Sequence, residues 1–286
     1  MQLPVRIFRF FIFSNLFISL CAAAMGWHSL RLNGLTVTPA CTWFIFFATL
    51  ASYSFHWMLT TEWPGETART QWQRANPRVH GVLLLLSLPG AIFFAWQLRQ
   101  HWPILCLTGF LTFLYSAPKI PHTAFHALRR IALGKTLFLA IVWTMATALL
   151  PLETNAGGWP AGALLFALNR FFLVYAICIL FDLRDLEYDR RNGIRSLVTW
   201  LTPTGVRNLF ILSLLLFTAT ACQMLAFGHS VAAIVNILLP GIATGLLYST
   251  ARRSQADMLY YFLLDGLMAL AAFASWMVWL AGGKVI

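Results

Sequence analysis

Long apolar runs, separated by short polar segments, follow one another along the whole chain. Nine of these runs are long enough to cross the hydrocarbon core of a bilayer as helices. They cover roughly 8–28, 39–60, 80–98, 102–118, 132–152, 162–182, 206–227, 231–249 and 258–281. The pattern predicts an all-α, polytopic membrane protein with nine transmembrane helices. Because the connections are short, we expect a single domain over residues 1–286.

Composition excludes a water-soluble globule of ordinary make-up. The chain is 59% hydrophobic and 10% charged, with a mean hydropathy of +0.73. Arg6 and Arg9 precede the first apolar run, as in a secretory signal, but the run is long for one, so we interpret it as the first span. The five cysteines all fall inside predicted spans without a CxxC spacing, which predicts neither a disulfide framework nor a zinc site.

The cations are distributed unevenly between the two sides of the predicted membrane. If the N-terminus is cytoplasmic, sixteen of the 20 Lys and Arg residues lie inside, three lie outside and Arg170 lies within a span. This bias predicts a cytoplasmic N-terminus and cytoplasmic loops that carry the functional residues, in what we expect to be a bacterial inner membrane. The net charge of +11 is divided among loops, so it favours membrane lipid or a phosphorylated substrate over nucleic acid.

Acidic residues are scarce except at the end of the sixth predicted span. Of nine Asp and Glu residues, four lie within eight positions there, namely Asp182, Asp185, Glu187 and Asp189. On a helix, the three aspartates fall within about 60° of one face and can converge on one ligand. Their mutual repulsion requires opposing cations, either Mg²⁺ or neighbouring arginines. The alternative is a solvated loop in which nearby arginines pair with the acids.

Two short motifs have a recognisable spacing. The first is Asp182-x-x-Asp185-x-x-x-Asp189, followed by Gly193, and the second is Tyr115-x-x-x-Lys119. They resemble the second aspartate-rich motif and the YxxxK signature of the UbiA superfamily of intramembrane prenyltransferases. The resemblance implies a nine-helix bundle around a central cavity open to the cytoplasm. It also implies an isoprenoid diphosphate donor, an aromatic or other lipid-soluble acceptor, and Mg²⁺.

The resemblance implies three groups of site residues. Asp182, Asp185 and Asp189 would hold the metal, with Asp185 also catalytic. Tyr115 and Lys119 would stabilise the charge that develops on the diphosphate leaving group. The expected phosphate contacts are Arg129, Arg130 and Arg190.

The first aspartate-rich motif of the family is missing, since no aspartate precedes Asp182. The corresponding region offers His56 and Glu62 as substrate-binding candidates, and Glu66 as a further carboxylate. An imidazole is a poor Mg²⁺ ligand, and His56 could equally be an interfacial side chain.

The missing motif leaves alternatives to a prenyltransferase open. A terpene cyclase of the same fold would need no acceptor. A catalytically inactive UbiA-like protein could bind a lipid or quinone, or support the assembly of partners. A transporter is favoured least, because nearly all acids lie at one edge rather than near the middle of the membrane.

Overall fold

The computed structural model describes residues 3–60, 66–120, 135–155, 158–191 and 196–282. All regular structure in these ranges is helical. The first half contains α1 Leu3–Phe13, α2 Leu16–Leu32, α3 Pro39–Met58, α4 Ala68–Ala75, α5 Val79–Gln97 and α6 Trp102–Ser116. The second half contains α7 Lys135–Thr144, a π-helix Met145–Leu149, α8 Leu150–Glu153, α9 Ala163–Arg191, α10 Leu197–Trp200, α11 Pro203–Gln223, α12 Val231–Arg253, a π-helix Leu259–Leu264, α13 Asp265–Met268 and α14 Leu270–Leu280.

Apolar helices run at each of the nine predicted intervals, but the count of nine spans is not confirmed. Among the described residues, five helical segments are long and apolar enough to cross a membrane. Two bent pairs raise the count to seven if each pair is one span. Neither α3 nor α6 qualifies: α6 has only 15 residues, and the second half of α3 carries serine, tyrosine and histidine. Length and composition therefore support an integral membrane protein without fixing how many helices cross.

Helix α9 forms the centre of the bundle. Every residue from Leu173 to Leu180 is buried, which is more than two helical turns without an exposed face. Helices α7, α11 and α12 all pack against it. Helix α5, by contrast, lies at the surface against α3, and its large apolar side chains are exposed as expected for a helix facing lipid.

Asn15 separates α1 from α2 and bends the pair by 57°. Its φ is 70°, in the left-handed region that asparagine tolerates better than most residues. The side chain is buried and directed into the bundle, where it joins a polar network described below. An isolated asparagine in the first apolar run thus has a structural role that the hydrophobic pattern alone does not reveal.

The predicted central cavity is not confirmed. One cavity of about 20 Å³ lies between α2, α9, α11, α12 and the last helices, where it is lined by His28 and Arg170 among others. A shallow groove of about 300 Å³ lies between α11 and α12, lined by apolar side chains and two glycines. Neither space is bordered by Asp182, Asp185 or Asp189.

Candidate functional site

Several helices bring their polar ends together at one end of the bundle, which we call the carboxylate end. Helices α3, α6, α9 and α12 finish there, while α2, α5 and α7 begin there. Tyr115 lies in the last turn of α6, and Lys119 lies in the short 3-10 turn after it. His56 and Trp57 lie in the last turn of α3. The contacts below connect these side chains.

His56, Tyr115 and Lys119 lie together at the ends of α3 and α6. The His56 ring stacks on Tyr115, with centroids 5.2 Å apart and planes 18° apart. Its Nδ1 is 3.2 Å from the hydroxyl of Ser116. The Lys119 ammonium donates to the Thr60 hydroxyl and lies 5.7 Å from the centre of the Trp57 ring. The ends of α3 and α6 thus form one aromatic and cationic surface.

Arg69 is the centre of the site, although nothing in its sequence context distinguishes it. It projects from the short helix α4, is 3% exposed, and its guanidinium carbon lies 4.0 Å from the ring centres of both Trp57 and Tyr261. Its Nη2 donates to Asn15 Oδ1 at 2.7 Å. Burial lowers the pKa of Arg69, while Tyr261 and two aspartates act in the opposite direction. Because an arginine titrates so far above neutrality, the side chain stays charged.

Helix α4 is held in place at its N-terminus. Thr67 caps it in a reciprocal capping box with Thr70. The backbone N–H of Arg69, one of the donors without a partner inside the helix, donates to Asp257 Oδ2 at 2.6 Å. These contacts fix where the Arg69 side chain enters the bundle. On the outward side of the same helix, Arg74 makes an exposed ion pair with Glu66, so Glu66 is engaged on the surface.

Asp185 is connected to this surface through arginine and tyrosine. Arg184 Nε donates to Asp185 Oδ1 at 2.9 Å, and Arg184 Nη2 donates to the Tyr261 hydroxyl at 3.0 Å. The Tyr261 ring in turn lies 6.4 Å from Trp57. Asp265, on the last span, interacts electrostatically with both Arg69 and Arg184.

The other predicted residues have different surroundings. Asp182 is buried and accepts a hydrogen bond from the Thr136 hydroxyl of α7, and Asp189 is buried as well. Arg190 is exposed at the end of α9. Glu62, Arg129 and Arg130 lie outside the described residues, so their predicted roles stay predictions.

The described acids do not form an evident metal site. Within the described ranges, no three His, Cys, Asp or Glu side chains come close enough together to hold an ion. Asp182 is engaged by Thr136, and Asp185 by Arg184. The predicted Mg²⁺ would need oxygen ligands in addition to these contacts, and it stays a prediction from the resemblance.

A second polar network lies beside Arg69. Asn15 Nδ2 is 3.3 Å from His80 Nδ1, and His80 Nε2 is 2.7 Å from Gln73 Oε1. If the asparagine amide donates, His80 must carry its proton on Nε2 and donate to the glutamine. These hydrogen bonds connect the start of α2 with α4 and with the start of α5. They therefore hold α4, the helix that carries Arg69, in place.

Comparison with solved structures gives the fold. The chain superposes on the apo structure of a UbiA homolog from Aeropyrum pernix K1 with a TM-score of 0.62, over 92% of this chain and 98% of that one, at 15% identity. The chain has the UbiA fold. No protein-family model matches the sequence, and no curated protein matches it significantly. The resemblance seen in two short motifs is therefore confirmed for the fold of nearly the whole chain.

The sequence carries a different amount of information about three residues of the candidate site, Asp265, Arg184 and Arg69. Asp265 is an aspartate inside an apolar span, which is itself a signal of function, and it was overlooked. Arg184 is one of the arginines beside the aspartates, for which the sequence indicates only a neutralising role. Arg69 carries no such signal, because an arginine in a polar loop is ordinary until tertiary packing buries it.

Proposed function

We propose that this protein is an intramembrane transferase that binds an isoprenoid diphosphate and transfers the isoprenyl group to a lipid-soluble acceptor. One observation carries the proposal. Arg69, held between the rings of Trp57 and Tyr261, connects Lys119 on one side with Arg184 on the other. We call Arg69, Lys119 and Arg184 the cation cluster.

The charge and position of the cation cluster suit a diphosphate. Guanidinium groups match phosphate oxygens in a planar, two-pronged geometry, and an ammonium adds a compact charge. Within the described residues, the cluster's three cations face three nearby carboxylates, Asp185, Asp257 and Asp265. The formal charges of these six groups cancel, so a bound diphosphate needs further cations. The predicted contacts Arg129 and Arg130 would supply more of the balance.

The aromatic side chains beside the cation cluster suit the isoprenyl group of the substrate. The faces of Trp57, Tyr115 and Tyr261 carry negative quadrupole density and stabilise a nearby positive charge. An allylic isoprenyl cation needs this stabilisation, together with the exclusion of water. The isoprenoid tail would extend from there among apolar helices or into the surrounding lipid.

The reaction follows from this arrangement. The bond between the allylic carbon and the diphosphate oxygen breaks, and its electron pair leaves with the diphosphate. Lys119 and Tyr115 donate hydrogen bonds to that oxygen as its negative charge grows. A nucleophilic carbon or oxygen of the acceptor then attacks the allylic carbon and gives up a proton. A terpene cyclase would differ only in the last step, in which a double bond of the same chain attacks.

None of these steps is assigned to a metal, and two of the aspartates, Asp182 and Asp185, are engaged by Thr136 and Arg184. Magnesium, expected from the sequence resemblance, stays a prediction. A binding assay in chelator tests it. If the isoprenoid diphosphate still binds in chelator, its phosphates are held by cationic side chains alone. If binding requires Mg²⁺, the aspartates hold the metal, as the motif predicts.

The experiment measures isoprenyl transfer by the purified protein in lipid nanodiscs, supplied with labelled farnesyl or geranylgeranyl diphosphate and a membrane lipid extract. We expect a labelled lipid product and free diphosphate. Lys119→Met should lower turnover by about 100-fold or more, the usual effect of losing one group that stabilises transition-state charge. Arg74→Met, which removes an exposed arginine from the same end of the protein, should leave turnover unchanged. Absence of any product or released diphosphate with every extract would contradict the proposal.

A second candidate is a non-catalytic lipid- or quinone-binding protein. The ion pair between Arg184 and Asp185 favours it, since both groups are satisfied without a ligand. This candidate predicts that isoprenoid diphosphates do not raise the thermal stability of the protein, whereas a quinone or a neutral isoprenoid lipid does. If the protein is a transferase, isoprenoid diphosphates should raise its thermal stability more than a quinone or a neutral isoprenoid lipid does.

A further inference from the structure

The far end of the bundle contains a second buried polar site that the proposed reaction does not use. His28 lies thirteen residues after Asn15 on α2, which is about 20 Å along the helix. Arg170 lies fifteen residues before Asp185 on α9, again more than about 20 Å away. The pair is therefore separate from the cation cluster, on the same two helices.

Arg170 is a buried cation that lacks a counter-charge. It is 6% exposed, and no carboxylate within the described ranges lies at ion-pair distance from it. Its nearest polar contact is a long one, 3.4 Å from Nη2 to the Ser29 hydroxyl oxygen. That hydroxyl lies 2.5 Å from the Thr147 carbonyl oxygen, so its own proton is already used. Burying a guanidinium without a neutralising partner is costly anywhere, and most of all in a membrane protein.

His28 shares this environment and also lacks partners. It is 1% exposed, and neither Nδ1 nor Nε2 has a hydrogen-bond partner in the part of the chain that the structure describes. In either tautomer, one ring nitrogen carries a proton that is available for donation. The third polar side chain, Asn169, uses its amide to donate to the Phe217 carbonyl at 2.8 Å. The site therefore contains a guanidinium but no anionic acceptor among the described residues, its side-chain acceptors being Asn169 Oδ1 and the unprotonated His28 nitrogen.

A cavity lies between these side chains. It has a volume of about 20 Å³ and is lined by His28, Asn169 and Arg170 on its polar side. A space of about 10–15 Å³ holds one water-sized occupant, so this cavity has room for a single small species. The remaining walls are apolar, including Phe166 and Phe217.

We propose that this cavity binds one halide ion, chloride under physiological conditions, between Arg170 and His28. A monatomic anion has the right size and accepts hydrogen bonds from both side chains. It also supplies the negative charge that a water molecule cannot. The ion would couple α2 to α9 at this end and so stabilise the same two helices that carry Asn15 and Asp185 at the other.

The test follows thermal unfolding of the full-length protein in detergent. The buffer contains potassium gluconate, and chloride or bromide replaces gluconate at constant ionic strength. We expect a saturable rise of the unfolding temperature by a few degrees with either halide, because only the folded state binds the ion. Sulfate, which is larger than either halide, should give no such rise.

Two variants locate the effect. Arg170→Met removes the buried charge and should abolish the halide-dependent rise, while in halide-free buffer it should be at least as stable as the parent protein. Arg99→Met, which removes an exposed arginine from the surface near Trp96, should keep the full rise. If Arg170→Met does not fold, anomalous scattering from bromide in crystals of the parent protein replaces it, with a peak expected between Arg170 and His28.

The proposal is overturned if halides do not stabilise the parent protein, if Arg170→Met responds to them as the parent does, or if bromide binds elsewhere only. A cavity that holds only water would give the first of these results. None of these outcomes depends on transferase activity, so failure here and failure of the proposed function are separate.

Discussion

At the scale of the residue, Arg69 contributes to the stability of the fold through its buried contacts. The guanidinium lies between two aromatic rings and donates to Asn15. Because a desolvated cation–π contact is worth about 2 kcal/mol and a hydrogen bond about 1 kcal/mol, Arg69→Met should lower the free energy of unfolding by about 2–4 kcal/mol. Unfolding in mixed detergent micelles measures this loss. The exposed Arg74, on the same helix, is the control, and its change to Met should cost less than about 0.5 kcal/mol.

Asp182 offers a second prediction at this scale. Its carboxylate is 4% exposed and accepts a hydrogen bond from Thr136. Thr136→Val keeps the shape of the side chain but removes the donor, so we expect a loss of about 1.5–3 kcal/mol, as for other hydrogen bonds to charged groups. Thr136→Ser should retain most of the stability. Equal stability of the Val and Ser variants would show that the hydroxyl does not hold the aspartate.

The sequence could identify residues of unusual type or spacing, but not residues made special by packing. The spacing of Tyr115 and Lys119 was informative, and His56 does lie beside them. Arg69 was not recognisable, because its burial depends on how α4 folds back onto α3 and the last span.

At the scale of the element, the contact between α11 and α12 depends on one glycine. A Cβ at Gly241 would lie 2.2 Å from a ring atom of Phe217 on the neighbouring helix. Gly241→Ala should therefore force the helices apart and cost about 1–3 kcal/mol. Gly245→Ala, one turn further along α12, meets only an ordinary contact of 3.5 Å with Leu214. Thermal unfolding of the two variants compares them directly, and a similar cost for both would contradict this packing.

The apolar pattern predicted where the helices lie but not how each one is interrupted. The pattern predicted one continuous span where the structure has α1 and α2, which bend at Asn15. It predicted a second continuous span where α13 and α14 meet at an angle of 60°. Local backbone conformations, such as the left-handed Asn15 and the π-helix before Asp265, are determined by tertiary contacts. Hydrophobic periodicity does not encode them.

At the scale of the whole molecule, the sequence predicted a UbiA-like architecture, and the fold agrees with it. The orientation in the membrane still depends on the distribution of cations alone. We expect a membrane-impermeant maleimide to label Arg99→Cys but not Arg253→Cys in intact cells, because the loop after α12 should be cytoplasmic. Both positions are exposed, so accessibility within the fold is matched. The opposite labelling pattern would reverse the proposed topology.

The central claim is that the cation cluster binds a diphosphate, and a structure with an unreactive donor analogue tests it most directly. Crystals or cryo-EM grids of the full chain would be prepared with farnesyl thiodiphosphate. The account predicts both phosphorus atoms near the side chains of Arg69, Lys119 and Arg184, with the first isoprene unit against Trp57, Tyr115 or Tyr261. A diphosphate bound away from these residues would contradict it.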